Sequence, residues 1–312
     1  MSTISPLLHH KPQRAGSRLL RREALECYLF ILPAVLGIVF FSLGPTVAAA
    51  LLSFTDYALL SPPHWIGLAN YQALPHDPYF WQSLKVTAVY VAVGLPLYTV
   101  SSLLVALLMN QQVRGIGLLR TIFYLPSVIS GVAVALLWRW LFNPQFGLLN
   151  QLLGYVGIKG PDWLGDPATA LPSLIGMGLW SIGGSMLVYL AGLQGIPTDL
   201  YEAAEIDGAT WWGKFWRITL PLLSPVLFFN IVLGVIGAFQ WFTEPAVITN
   251  GGPENATLSY TLYLYRNAFS YLQMGYASAL AWILFGIVLA LTLLVFRSSP
   301  LWVYYEAEKK RG

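Results

Sequence analysis

Six predominantly apolar runs dominate the chain, at approximately residues 28–53, 85–109, 117–142, 172–195, 222–248 and 277–297. A helix needs about 20 apolar residues to cross the hydrocarbon core of a bilayer, and each run is long enough. No water reaches the backbone there, so each segment must pair its own N–H and C=O groups, as a helix does. Of 312 residues, 56% are apolar and only 10% are charged, against roughly 25% charged in a soluble domain. That leaves too little polar surface to coat a globule. The expected fold class is an all-α membrane protein with six transmembrane helices. Prolines at 33, 45, 96 and 126 predict kinks, because each removes a backbone donor inside a helix.

Basic residues set the orientation. Lys11, Arg14, Arg18, Arg21 and Arg22 precede the first run, Arg114 and Arg120 follow the second, and Lys214 and Arg217 follow the fourth. Arg297, Lys309, Lys310 and Arg311 close the chain. The alternate loops are nearly free of positive charge: 54–84 has none, 143–171 has only Lys159, and 249–276 has only Arg266. The positive-inside rule therefore puts both termini and the 196–221 loop in the cytoplasm. The basic start has no short apolar region and small-residue cleavage site after it, and reads as a retained tail. Cys27 is the single cysteine, so no intrachain disulfide can form.

The 196–221 loop is the most informative polar segment. Asp199 with Glu202 three residues on has the spacing of a capping box. Acidic residues at 199, 202, 205 and 207 suit the positive end of a short helix. Ala203 and Ala204 offer a smooth contact surface, and Gly208 permits a sharp turn. Trp211, Trp212, Phe215 and Trp216 give a second short helix a greasy side, and Pro221 is expected to open the fifth span. Such an element between two spans reads as a socket for a soluble partner. It also contains a decoy. Residues 208–214 fit the phosphate-loop pattern G-x-x-x-x-G-K, but Phe215 stands where Ser or Thr should hold Mg²⁺ and no strand precedes it. Nucleotide binding by this chain is rejected.

Glu202, Ala203, Ala204, Gly208, Ile218, Leu220 and Pro221, with Asp207 beside the glycine, match the EAA loop of binding-protein-dependent ABC importers at every position. FNPQFGLLN at 142–150, GLQGIPTDLYEAA at 192–204 and TNGGPENAT at 249–257 extend the likeness over about residues 25 to 297. The chain resembles the sugar-importer permeases of the maltose, lactose and glycerol-3-phosphate branch. That resemblance implies a type I importer fold in a bacterial inner membrane. It implies ATPase coupling through Glu202, Ala203, Ala204, Asp207, Gly208, Ile218, Leu220 and Pro221. The implied partners are a second homologous permease, two ATPase subunits and an extracytoplasmic solute-binding protein, with no nucleic acid. ATP and Mg²⁺ would sit on the ATPase, leaving this chain without a cofactor. The implied organisation is a cytoplasmic tail at 1–27, a first helix with its outer loop at 28–84, the importer domain at 85–297 containing coupling loop 196–221, and a cytoplasmic tail at 298–312.

A sugar path needs hydroxyl-directed hydrogen bonds and an aromatic face. Two helical stripes offer both: Trp180, Ser181 and Gly184 in the fourth run, with Ser185 nearby, and Gly234, Gly237, Ala238 and Trp241 in the fifth, with Gln240 adjacent. Trp180, Ser181, Gly184, Gly237, Ala238, Gln240 and Trp241 are the candidate substrate contacts. Small residues in such stripes also serve close helix packing. Charges within the spans lie near their ends, at Lys85, Arg139 and Glu244, which argues against a proton-coupled carrier. The competing reading is a secondary carrier or channel for a small polar solute, working without ATP. His9, His10, His64 and His76 form no metal-ligand spacing, and no catalytic constellation supports an enzyme.

Overall fold

The computed structural model describes residues 17–304. Lys11, Arg14, His9, His10, Lys309, Lys310 and Arg311 lie outside the described residues. Among those described there is no β-strand, only isolated bridges joining Thr55 to Trp65 and Ala58 to Gln273. By backbone contacts the chain divides after Leu51 into two units. The first unit carries span 1, a helix over Arg21–Leu52.

The second unit contains the rest. Three further helices are long and apolar enough to cross a membrane alone: span 2 over Pro78–Met109, span 5 over Trp211–Phe239 and span 6 over Met274–Leu301. Two bent pairs pass the same test jointly. Ile116–Val128 and Gly131–Leu141, bent by 98°, make span 3, and Pro167–Ser181 and Gly183–Gln194, bent by 48°, make span 4. Counting each bent pair once gives six.

The prolines act in two ways. Pro126 precedes the break that bends span 3. Pro45, Pro96 and Pro221 each follow by two residues a widened, π-helical turn, at Val39–Leu43, Tyr90–Gly94 and Phe215–Thr219 respectively. A helical proline lacks its N–H and clashes with the carbonyl four residues back. Widening the preceding turn shifts that carbonyl: the amides of Gly44 and Leu220 reach five residues back, to the carbonyls of Val39 and Phe215. The helix therefore continues through these prolines.

Two expected boundaries move. Span 5 does not begin at Pro221. The helix starts at Trp211 and is continuous with the second half of the polar loop. Nor does it run to 248. It stops at Phe239, where Gln240 and Trp241 donate three residues back to Gly237 and Ala238, and a separate wide turn covers Pro245–Thr249. Spans 2 and 4 begin earlier than expected because Asp77 and Asp166 cap them. Their carboxylates accept from the amides of Tyr79 and Ala168 at 2.9 Å, each with a proline in the first turn.

In lipid the transfer term that drives soluble cores is small, and close approach of backbones does more of the packing. A β-carbon at Gly192 of span 4 would meet Leu223 and Val226 of span 5 at 2.7 and 2.9 Å. One at Gly183, where span 4 bends, would run into the carbonyl of Phe123 in span 3. Around these crossings, Met186, Tyr189, Leu193, Ala106, Leu223 and Leu227 form one buried cluster at the polar-loop end. A second cluster, of Phe80, Leu258, Tyr260, Leu262 and Leu280, closes the opposite end.

That opposite end is tied by a carboxylate. The hydroxyls of Tyr263 and Tyr276 both donate to Oδ2 of Asp77, the latter at 2.6 Å. Burial pushes the Asp77 pKa up, but the two tyrosine hydroxyls and the amides of Tyr79 and Phe80 outweigh it, leaving it below the ordinary aspartate value. The next loop is shaped by left-handed backbone at Asn250, Gly251, Glu254 and Asn255. It is cross-braced by Thr249 and Thr257, whose hydroxyl oxygens lie 2.6 Å apart, and by Arg266, which donates to the Asn250 carbonyl.

Two outcomes are expected. Gly183→Val should lower the melting temperature of detergent-purified protein by an overpacking cost of about 1–3 kcal/mol. Gly286→Ala, where a β-carbon meets nothing, should leave it unchanged or raise it. For Asp77, whose folded pKa is depressed, the stabilisation is fully present above the ordinary aspartate pKa and is lost as pH falls through the lower folded value. Hydrogen-exchange protection at 77–80 and 260–265, taken relative to the intrinsic rate at each pH, should therefore fall at acid pH. Asp77→Asn should flatten that dependence.

Candidate functional site

The 196–221 segment folds as a braced helical hairpin. Its first helix, Thr198–Ile206, is capped by Pro197 without a side-chain hydrogen bond, and Asp199 lies inside the first turn. The expected capping box is therefore absent. A helix entered through proline has its N-cap two residues before Asp199, so the spacing to Glu202 no longer closes the box. Glu202 is left exposed.

The turn is sharp because Gly208 adopts φ +76°. Gly208 and Ala209 donate to the carbonyls of Glu205 and Ala204 at 3.0 and 2.8 Å, the bond pair of a Schellman C-cap. Thr210 then caps the second helix, its hydroxyl accepting from Gly213 at 3.2 Å. Two bridges fix the angle between the arms. Lys214 Nζ lies 2.5 Å from Glu205 Oε1, and the Tyr201 and Thr219 hydroxyls lie 3.0 Å apart. The lysine of the phosphate-loop decoy is thus engaged by a carboxylate.

Between the arms lies a groove of about 690 Å³ whose lining includes Ala204, Asp207, Gly208, Lys214, Trp216 and Ile218. Ala203 is exposed beside it. Trp211, Trp212 and Phe215 stack as a ladder, with ring centroids 5.8–5.9 Å apart. Both tryptophans are about 60% exposed. Leu220 packs on the cluster of spans 2, 4 and 5, and Pro221 lines a smaller pocket with Leu200, Arg217 and Tyr304. Sequence reasoning missed the last contact. The Tyr304 amide donates to Ser224 Oγ at 2.8 Å, pinning the segment that follows span 6 beside the hairpin.

The second feature is a pair of cavities among spans 2, 4 and 5, of about 240 and 260 Å³, sharing Tyr90, Tyr98 and Ser185. The first also has Ser181, Trp241 and Glu244 on its wall, and the second has Asn230, Gly237 and Ala238. Tyr90 and Trp241 stack with centroids 3.8 Å apart and planes 2° apart. The Tyr98 hydroxyl donates to the Ile175 carbonyl at 2.8 Å.

Four candidate contacts, Ser181, Gly237, Ala238 and Trp241, thus come together. Trp180, Gly184 and Gln240 line neither cavity. Trp180 packs edge-on against Trp138 with centroids 6.1 Å apart, and Gln240 is exposed at the end of span 5. The helical register from Gly234 to Trp241 fails because the helix ends between them. Tyr90, Tyr98, Asn230 and Glu244 were missed. The signal for the tyrosines and Asn230 was present as polar side chains inside apolar runs. Glu244 looked like the end of a span only because the break at Phe239 was not foreseen.

A bent helical bundle with a braced, exposed hairpin at one end and cavities within is the architecture of a membrane transport subunit. Residues 98–301 match the family described as "Binding-protein-dependent transport system inner membrane component". The chain is 45% identical to the probable ABC transporter permease protein YesP of Bacillus subtilis (strain 168), over 94% of this chain and 96% of that one. It is 36% identical to the lactose transport system permease protein LacF of Rhizobium radiobacter, over 91% and 97%. It is 35% identical to the trehalose/maltose transport system permease protein MalF of Thermococcus litoralis, over 90% and 96%. A crystal structure of "a bacterial ABC transporter involved in the import of the acidic polysaccharide alginate" matches with TM-score 0.82 and 25% identity, over 91% of this chain and 99% of that one.

The chain belongs to the binding-protein-dependent transport system inner membrane component family. It is an ABC importer permease of the inner membrane, and not itself an enzyme.

Gly208→Ala should cost about 1–2 kcal/mol locally, the penalty for a left-handed non-glycine residue, and should speed hydrogen exchange across 204–213. Lys214→Met should cost less than about 1 kcal/mol, since Glu205 is largely solvated.

Proposed function

We propose that this permease carries a sugar or oligosaccharide into the cell, driven by ATP hydrolysed on a separate subunit. A second homologous permease completes the pathway, two ATPase subunits engage the hairpins, and an extracytoplasmic solute-binding protein delivers the cargo. ATP and Mg²⁺ belong to the ATPase, and this chain holds no cofactor. Both termini and the hairpin face the cytoplasm.

The observation that carries this reading is the continuity of span 5. One helix, Trp211–Phe239, joins the second arm of the hairpin to the cavity residues Asn230, Gly237 and Ala238. From Trp211 to Gly237 that is roughly 39 Å at 1.5 Å per residue. A displacement of the braced hairpin is passed to the cavity wall without an intervening loop. In the same step, Gly192 lets span 4 ride against Leu223 and Val226 of span 5.

Closure of the ATPase pair pulls the hairpins together, and arrival of the loaded binding protein biases the opposite end. Such coupling needs two packings of the bundle that the two ligands weight differently. The cargo class rests on the relatives, two of which are described as lactose and trehalose/maltose permeases. The stacked Tyr90–Trp241 pair amid serine and tyrosine hydroxyls suits a sugar ring.

Glu202 is the anchor offered to the ATPase: an exposed carboxylate on a rigid helix, freed from any capping duty. Glu202→Ala should cut sugar uptake and cargo-stimulated ATP hydrolysis tenfold or more, with expression and membrane insertion unchanged. Wild-type uptake in both Glu202→Ala and Gly208→Ala would refute the coupling role. Uptake by this chain alone in ATP-free vesicles would establish a secondary carrier instead.

A further inference from the structure

We propose that Glu244 is a specificity determinant that commits the cavity to neutral or amino sugars and bars acidic ones. This rests on the reading of the paired cavities as the sugar path. Glu244 lies past the end of span 5 and lines the cavity with Tyr90, Tyr98, Ser181 and Trp241. It lies near enough to Tyr90 and Tyr98 to interact electrostatically with both hydroxyls. Among the described residues its carboxylate has no hydrogen bond or ion pair.

No lysine, arginine or histidine lines either cavity. A carboxylate on a cavity wall is costly unless something pairs with it, and among the described residues no cation does so. The rest of its cavity is lined by hydroxyls, aromatic rings and the aliphatic Leu174, Met177 and Ile182; the Tyr98 and Ser102 hydroxyls are committed to backbone carbonyls, so the donors for Glu244 come from the ligand. Adjacent hydroxyls of a pyranose can donate one to each carboxylate oxygen, in the charge-assisted geometry that makes such bonds strong. Their C–H face then lies against the Tyr90–Trp241 platform, and an ammonium group is favoured further.

A uronate or sulfonate meets the opposite situation. Two like charges about 4 Å apart at an effective dielectric of about 20 repel enough to lower occupancy by roughly a hundredfold or more. The fold is shared with an importer of an acidic polysaccharide, but a shared fold does not carry that cargo here, because the charge on the cavity wall is set locally.

The test is equilibrium binding of labelled probes to the assembled permease–ATPase complex in nanodiscs, without the binding protein. The probes are maltotetraose (neutral), a glucosamine tetramer (cationic) and trigalacturonate (anionic). Wild type should bind the first two saturably and trigalacturonate at least tenfold more weakly. Glu244→Gln should weaken maltotetraose roughly tenfold to a hundredfold and narrow the gap. Glu244→Lys should reverse the order.

Trigalacturonate binding to wild type as tightly as maltotetraose overturns the proposal without any variant. So does a Glu244→Gln protein whose three affinities stay within twofold of wild type. Gly237→Phe separates the two layers of the claim, since a β-carbon there points into open space and the ring fills the cavity. Loss of maltotetraose binding in Gly237→Phe with none in Glu244→Gln keeps the cavity and discards the role of Glu244. Unchanged binding in Gly237→Phe discards the cavity itself. Should Glu244→Gln fail to assemble, Glu244→Asp retains the charge and must preserve the wild-type order of probes.

Discussion

Everything in this bundle follows from the need to satisfy backbone hydrogen bonds where no water is present. The chain meets it with helices, yet transport requires those helices to bend and to leave room for a polar solute. Proline is one device for the irregularity. Where its lost donor is compensated by a widened turn, as before Pro45, Pro96 and Pro221, the helix continues. Where the chain turns away, as after Pro126, the span folds into two arms at 98°. The widened turn at Tyr90–Gly94 also lies at the cavity, so the same irregularity serves the backbone and the site.

The second consequence is mechanical. Since Pro221 is absorbed by its preceding turn, the hairpin's second arm and span 5 are one helix. A loop there would dissipate a push from a partner, whereas a helix transmits it. The first arm ends in a Schellman cap, the second opens on the Thr210 cap, and an ion pair and a tyrosine–threonine contact join the two. Each is modest alone, and together they set one angle. The exposed Trp211, Trp212 and Glu202 are then presented on one braced frame.

The polar cavity shows how far a shared architecture constrains cargo. Glycine and alanine at Gly237 and Ala238 leave room, and the Tyr90–Trp241 stack provides a flat wall, features suited to many sugars. The single carboxylate of Glu244 is what differentiates among them. Fold and coupling can therefore be common to relatives with different substrates, while discrimination is placed on a few side chains that transmit no force.

The sequence by itself determined the number of apolar spans, the hairpin and its glycine turn. Apolar run length, polarity and the left-handed preference of glycine are local properties, legible without neighbours. Ser181, Gly237, Ala238 and Trp241 were also found this way, because a small residue or a tryptophan in a polar stripe is conspicuous in an apolar run. Only the tertiary structure decided that Asp199 is not the cap, that Trp180, Gly184 and Gln240 stand away from the cavities, and that Tyr90, Tyr98, Asn230 and Glu244 line them. Those facts depend on where helices start, bend and stop. Pro197 shifts one start, a widened turn carries span 5 through Pro221, and a break at Phe239 turns Glu244 from the end of a span into part of a wall. Such breaks are settled by packing between segments far apart in sequence, such as Tyr90 against Trp241, and no local pattern records them.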